Sequence, residues 1–568
     1  MTTLPTPGVA GSSAAPSAPG GTRAPAVMLA FLVAPAALLY AFLGRDVLAV
    51  ALAVAALPLL PLLRDPSLAH IAGTARPVGA GAAAPPGASI PPGASGPPGA
   101  SGPSGASGSS GALGPPARAP RRALSPRAVF PLAAAATALL LTTLGGEGRL
   151  LPATPDWLVR DAVLRDLVEQ AWPFAYRVDG ADWVLRAPLG MYLLPALAGK
   201  LAGLRAAHVA LWAQNTVALA AVLRVLCAGD TLRRGLVVLA VFCLFGGWDM
   251  VGTLAVAARH AIGSGAPFAI PDDIQWWDRL FQYSSTLTLV LWVPHHALAG
   301  WFLAALVLLR DRRRIRLGTL MAGAALSIVW SPFALLGAAP FLLKAGVEAL
   351  RAREIRPLDL AGPALLAFAL VPLALYLASD SGDVPRGLQP LSTEFLIRYP
   401  AFLALELLPF VAANVLFGAR DGHGPARATY RIAVASLVLI PCYRIGVSND
   451  FVMRASIPAL AILAVTTGHT AASVLAGGSN ARRILLALVL ALGSLTGLEE
   501  VGHTLATPNR GASTCDFVQA WDQSPYSRQM SDAIYLAHRD RIPALLRAAR
   551  PQVLATGPSA SPCVERRM

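Results

Sequence analysis

Runs of about twenty apolar residues recur along this chain, most of them ended by arginines; 207–226, 286–309, 333–349, 399–418 and 456–475 are five of them. A helix of that length crosses the hydrocarbon core of a bilayer, and there every backbone N–H and C=O must be satisfied within the segment. The expected class is therefore an all-α integral membrane protein, a polytopic helical bundle. A membrane barrel would show shorter segments of strict alternation. Only 14% of the residues are charged, against about a quarter in a soluble globular chain.

The formal net charge is +15. Nucleic-acid binding is one reading of such a charge, but the basic residues sit in short clusters between apolar runs. That is the pattern of cytoplasmic loops in a membrane protein, so no nucleic-acid partner is expected. Residues 1–65 read as an N-terminal transmembrane hairpin built from the runs 27–43 and 47–63. Residues 66–127 are rich in Pro, Gly, Ser and Ala, including GASGPPGASGPSGASGSSGALGPP at 93–116, and read as a disordered cytoplasmic linker. The main transmembrane domain is expected over 128–500, followed by a polar tail over 501–568.

Arginines assign the sides. Arg118, Arg121, Arg122 and Arg127 place the linker in the cytoplasm, so the run 128–145 leads outward. About thirteen spans then put RDRRRIR (310–316) and RAREIR (351–356) inside as well. This requires LGMYLLPALAGKLAGL (189–204) to lie as a juxtamembrane helix in the first large outer loop, as its Pro195 and Lys200 favour. The N-terminus is then cytoplasmic and the tail extracytoplasmic. Cys515 and Cys563 both lie in that tail. A disulfide and two free thiols are both compatible with that placement.

With this topology five unusual polar segments, 155–187, 246–252, 282–298, 330–333 and 443–460, share the outer face with the tail. In PDWLVRDAVLRDL (155–167), Pro155 and Asp156 fit a helix start, where an acid meets the positive end of the dipole. Asp156 and Arg160 stand four apart, on one helix face. Either the segment is a solvated interfacial helix, or Asp156 is a general base or metal ligand just beyond a membrane helix. In GGWDMVG (246–252), Asp249 either reaches water from a helix end or marks a site, since a carboxylate within a membrane is costly. In WVPHHAL (292–298), His295 and His296 point in different directions, which disfavours one shared metal. Each can contact a phosphate, move a proton near neutral pH, or simply pack. In YRIGVSNDFVMR (443–454), Arg454 suits bidentate phosphate contact and Asn449 is a neutral donor; a structural Asp450–Arg454 pair is the competing reading. No Gly-rich nucleotide loop, HExxH or GxSxG context occurs. A divalent metal stays open as a cofactor, and an outer-face reaction needs a donor other than a free nucleotide.

The segments DWLVRDAVLRDL, WPFAY, YLLPALAGK, GGWDMVG, QYSS, WVPHHAL, WSPF and SNDFVMRASIPAL, in that order, resemble a family of uncharacterised bacterial polytopic membrane proteins. That family looks like the GT-C class of membrane glycosyltransferases, and the resemblance covers about 128–545. It implies a GT-C-like fold with juxtamembrane helices in the first large outer loop, in the bacterial cytoplasmic membrane. It implies a polyprenyl-phosphate-linked sugar as donor and a cell-envelope glycan, lipid or protein as acceptor. Asp156 would be the catalytic base. Arg454, with Lys200 or His296, would hold the donor phosphate, and Asp249 would be a second acid for acceptor or metal. Relatives often carry His at the position of Arg160, and many GT-C loops pair two acids where Asp156 is followed by Trp157. The readings that compete with this one are a transporter or flippase of a lipid-linked glycan or small solute, and a non-catalytic envelope-assembly protein.

Overall fold

The computed structural model describes residues 24–56, 126–271, 273–382, 384–418, 424–446, 448–508, 510–525, 527, 535–557 and 561–566. The linker expected over 66–127 lies outside the described residues except for its last two positions. Among the described residues 68% are helical and few are in strands. Five described helices are long and apolar enough to cross a membrane: Leu204–Leu226, Pro332–Arg351, Pro357–Ala378, Ile457–Gly477 and Asn480–Ala506. A sixth is reached if the bent pair Thr393–Glu406 and Leu408–Phe417 counts as one span.

The described residues thus show fewer such helices than the roughly thirteen spans expected, and the cause is local. Apolar runs that hydropathy reads as continuous are broken in the backbone. The run 286–309 divides at Pro294 into Thr286–Trp292 and Pro294–Asp311, because proline cannot donate the helical hydrogen bond. The run 399–418 bends by 43° next to Pro409. The run 235–255 is interrupted by Phe245, Gly246 and Gly247 between Leu232–Cys243 and Asp249–Ser264. The segment 189–204 forms a helix of 13 residues, Gly190–Ala202, folded back along Leu204–Leu226 through Gly203 at φ +87°.

Packing divides the helices into inner and outer sets. Every residue from Pro294 to Leu309 is buried, against Leu204–Leu226, Pro332–Arg351 and Ile457–Gly477. Small residues permit that approach: a Cβ on Gly300 would lie 2.4 Å from Ile457 Cγ2. Outer helices instead expose large apolar side chains, such as Leu365 and Phe368 on Pro357–Ala378 and Ile484 and Leu488 on Asn480–Ala506. Such faces suit lipid, not water. Ala24–Phe42 packs on Gly190–Ala202 and Leu204–Leu226, Asp46–Ala56 packs on Pro357–Ala378, and the Tyr40 hydroxyl donates to the Ala369 carbonyl.

One end of the bundle carries a strand-bearing cap. Eight short strands occur among the described residues: β1 (Phe174–Val178), β2 (Ala181–Leu185), β3 (Arg386–Leu388), β4 (Tyr443–Ile445), β5 (Arg510–Ser513), β6 (Leu536–His538), β7 (Gln552–Ala555) and β8 (Val564–Arg566). A four-stranded sheet runs in the order β6-β2-β1-β7. The β1–β2 hairpin turns through Asp179 at φ +48° and Gly180 at φ +80°, the geometry that favours an Asp-Gly turn. The tail supplies β6, antiparallel to β2, and β7, parallel to β1. The tail is thus zipped onto the first large loop. Cys515 and Cys563 are disulfide-bonded, with Cα atoms 5.1 Å apart. Beneath the sheet, buried Asp166 accepts from the Tyr176 hydroxyl at 2.7 Å and from the Phe517 N–H at 2.8 Å.

Candidate functional site

A cavity of about 390 Å³ opens where the cap meets the helices. Asp156, Arg160, His295, His296, Asp450 and Arg454 all line it. Three separate segments therefore converge. The helix Trp157–Glu169 begins at Asp156 and carries Arg160 one turn on. The break at Val293 and Pro294 sets both histidines at the start of the inner helix. The short helix Asp450–Ala455 brings Asp450 and Arg454, again one turn apart.

Arg160 organises one side. Its Nη2 donates to Asp156 Oδ2 at 3.1 Å and to the Trp292 carbonyl at 2.6 Å. Its Nη1 lies 3.0 Å from His295 Nδ1 and donates to the Tyr192 hydroxyl at 3.4 Å. A guanidinium only donates, so Nδ1 of His295 must be the acceptor and the neutral ring carries its proton on Nε2. His296 Nδ1 lies 2.8 Å from Ser331 Oγ, and the two imidazole centroids are 3.9 Å apart. Across the cavity Asp450 Oδ1 and Arg454 Nη1 are 2.7 Å apart. Gly446, at φ +95°, lets the chain fold over Asp450; a Cβ there would lie 2.6 Å from Asp450 Oδ2.

Arg186 and Arg386 line the same cavity, as do Tyr192 and Tyr535. With four arginines and two carboxylates on its wall, the cavity carries an excess of two positive side chains. Another part of the wall is apolar, formed by Ile328, Phe333, Ala374, Leu377 and Val384. The arrangement is a donor-rich head region beside a greasy flank, the complement of an anionic group on a lipid. Both acids are tied to arginines, and among the described residues no three His, Cys, Asp or Glu side chains gather to hold a metal ion.

Three candidates from the sequence lie elsewhere. Lys200 donates to the Gln170 carbonyl at 2.6 Å and sits 5.1 Å over the Trp172 ring, away from the cavity lining. Asn449, in the left-handed region at φ +54°, donates to the Leu280 carbonyl at 2.9 Å. Asp249 is 1% exposed and interacts with Glu406, apart from the cavity. The sequence reading missed Arg186, Arg386, Tyr192 and Tyr535. Arg186 carried a signal, an arginine in the loop expected from the sequence to lie outside, where positive residues are disfavoured; Tyr535 reaches the cavity only through β6 pairing and had none. Glu147 was also passed over. It is buried beside Asn215, and burial pushes its carboxyl up to about 8 against the opposing Asn215 hydrogen bond.

No family model, curated protein or solved structure matches the chain. The fold and cavity define a mostly helical protein with several apolar helices long enough to cross a membrane and an arginine-bearing, partly apolar cavity under a strand-bearing cap.

Proposed function

We propose that the protein is a membrane glycosyltransferase, taking a sugar from a polyprenyl-phosphate donor and passing it to a cell-envelope acceptor. On this reading it sits in the bacterial cytoplasmic membrane with the cavity on the extracytoplasmic side. One observation carries the proposal: Asp156, Arg160, His295, His296, Asp450 and Arg454, far apart in sequence, line one cavity with an apolar flank.

The chemistry follows from that placement. The acceptor hydroxyl oxygen attacks the anomeric carbon, and the bond from that carbon to the phosphate oxygen breaks. The polyprenyl phosphate leaves with the bonding pair. Asp156 takes the hydroxyl proton; Arg160 engages its Oδ2, leaving Oδ1 to face the acceptor. Arg454, Arg186 and the Nε2–H of His295 meet the charge that grows on the departing phosphate. No second carboxyl acid is needed, unlike glycoside hydrolysis, because the phosphate is already a good leaving group.

The test is transfer by the protein in lipid from a panel of radiolabelled polyprenyl-phosphate sugars, beside Asp156→Asn. Transfer by the wild type and its loss in a folded variant is the expected result. Equal transfer by both removes Asp156 from the chemistry. The transporter reading shares the cavity; it predicts that labelled donor crosses vesicles unchanged, with no new glycosidic bond.

A further inference from the structure

The Asp156 arm rests on a support outside the cavity lining. The helix Thr286–Trp292 stops at Val293, so its last carbonyls look beyond the helix for donors. The first large loop supplies them. The Leu291 carbonyl accepts from the Thr154 hydroxyl and the Trp157 indole N–H, both at 3.3 Å. The Trp292 carbonyl accepts from Arg160 Nη2 at 2.6 Å, and the same nitrogen holds Asp156 Oδ2. The direction of the Trp292 carbonyl therefore sets where Arg160 and Asp156 stand.

A distant helix fixes Trp292 itself. The Trp292 indole N–H donates to Glu500 Oε2 at 2.8 Å. Glu500 lies near the end of Asn480–Ala506 and is 6% exposed. Gly497, one turn earlier, lets this helix close on Thr286–Trp292: a Cβ there would lie 3.0 Å from Ser285 Oγ and 3.1 Å from Leu287 Cβ. A buried acid on an apolar helix is costly and marks a task by default. A hydrogen bond accepted by a carboxylate is also stronger than a neutral one, so Glu500 is a firm anchor for an indole. We propose that Glu500 is a positioning residue for the Asp156 arm. It clamps the Trp292 side chain, and through the carbonyl of that residue it holds Arg160 against Asp156 and His295. The catalytic meaning of the hold rests on the glycosyltransferase reading; the hold itself does not.

The test uses the full chain in lipid nanodiscs with nitrogen-15 histidine rings. Arg160 donates to His295 Nδ1, so the shift of that nitrogen reports whether Arg160 is in place, and His295→Asn assigns the signal. In Glu500→Leu the His295 signal moves and turnover falls about tenfold, the scale of a slightly misplaced catalytic group, while donor KM stays within about twofold. Glu500→Gln, whose amide oxygen still accepts the indole N–H, keeps both near the wild type. Trp292→Phe removes the donor from the other side and repeats the Glu500→Leu result. An unmoved His295 signal in folded Glu500→Leu overturns the proposal. So does a moved signal with turnover equal to the wild type. A moved signal in a chain whose wild type transfers no sugar supports the hold on Arg160 and sinks the glycosyltransferase reading alone.

Discussion

Two arms of the cavity use the same device and are not equivalent. Asp156–Arg160 and Asp450–Arg454 are both aspartate–arginine pairs one helical turn apart, at 3.1 and 2.7 Å. Arg160, however, is also held by the Trp292 carbonyl, His295 and Tyr192. Arg454 has Asp450 as its ion-pair partner; the Nε of both arginines is buried without a hydrogen bond, so the difference lies in what their Nη groups meet. The first arm is locked into the helix break at Val293; the second keeps donor capacity for an incoming anion. The same residue pattern therefore gives one fully tethered arm and one with donors to spare, which the proposed function would use as an acid–base arm and an anion-receiving arm.

The largest effect expected from that contrast is on the two acids. Asp156→Asn lowers transfer by about 10²–10⁴-fold, the usual worth of a positioned base. Asp450→Asn, which only frees Arg454, changes turnover by less than about tenfold and acts on donor affinity. Single-turnover rates beside donor titrations separate the two, and equal losses in turnover erase the distinction between the arms.

Next come the arginines. Arg160→Met leaves Asp156, the Trp292 carbonyl and His295 without their donor, at a cost of about 3 kcal/mol for breaking a mostly buried network. Arg454→Met costs about 1 kcal/mol in stability and weakens donor binding instead. Denaturant midpoints give the first comparison and donor titration the second. A larger stability loss at Arg454 would reverse the roles.

A smaller effect concerns the cap, which closes the cavity with Phe517, Trp521 and Tyr535. Burial raises the Asp166 carboxyl to about 7, against the Tyr176 and Phe517 hydrogen bonds that favour its ionised form. The folded pKa lies above the unfolded value, so between about 4 and 7 the folded state holds more protons. Cap docking is therefore strongest in acid and weakens as pH rises through about 7, by at most about 1.4 kcal/mol per pH unit. Hydrogen exchange over 174–185 and 536–538 should show that slope, and Asp166→Asn should flatten it. A cap whose protection rises with pH would show that the two donors win over burial.

The helical class and the convergence of Asp156, the histidines and Arg454 were legible because apolar runs and local polar clusters are written consecutively. The span count was not, since Pro294, Pro409 and the Gly246–Gly247 pair break helices without lowering hydropathy. The cap was half legible. Val178-Asp179-Gly180-Ala181, between residues rich in aromatics, is a hairpin signal. The pairing of β1 with β7 joins residues more than 370 positions apart, as Phe174↔Gln552 shows, and no local pattern encodes it. The disulfide likewise depended on the tail folding back, which brings Cys515 and Cys563 beneath the helix that starts at Asp156.

Lys200 gives the smallest effect and the cleanest control. The sequence offered it as a phosphate ligand, yet its ammonium caps the end of Trp157–Glu169 through the Gln170 carbonyl and lies over Trp172, outside the cavity lining. A cation beside exposed carbonyls at a helix C-terminus contributes a few tenths of a kcal/mol. Lys200→Met keeps the aliphatic stem on Trp172 and removes only the charge. Stability should fall by less than about 0.5 kcal/mol, and donor affinity should match the wild type in a titration where Arg454→Met is clearly weaker. If Lys200→Met lost affinity to the same degree, the anion would be held at the Trp172 edge of the cap, and the division between the two arms would no longer describe how the donor is bound.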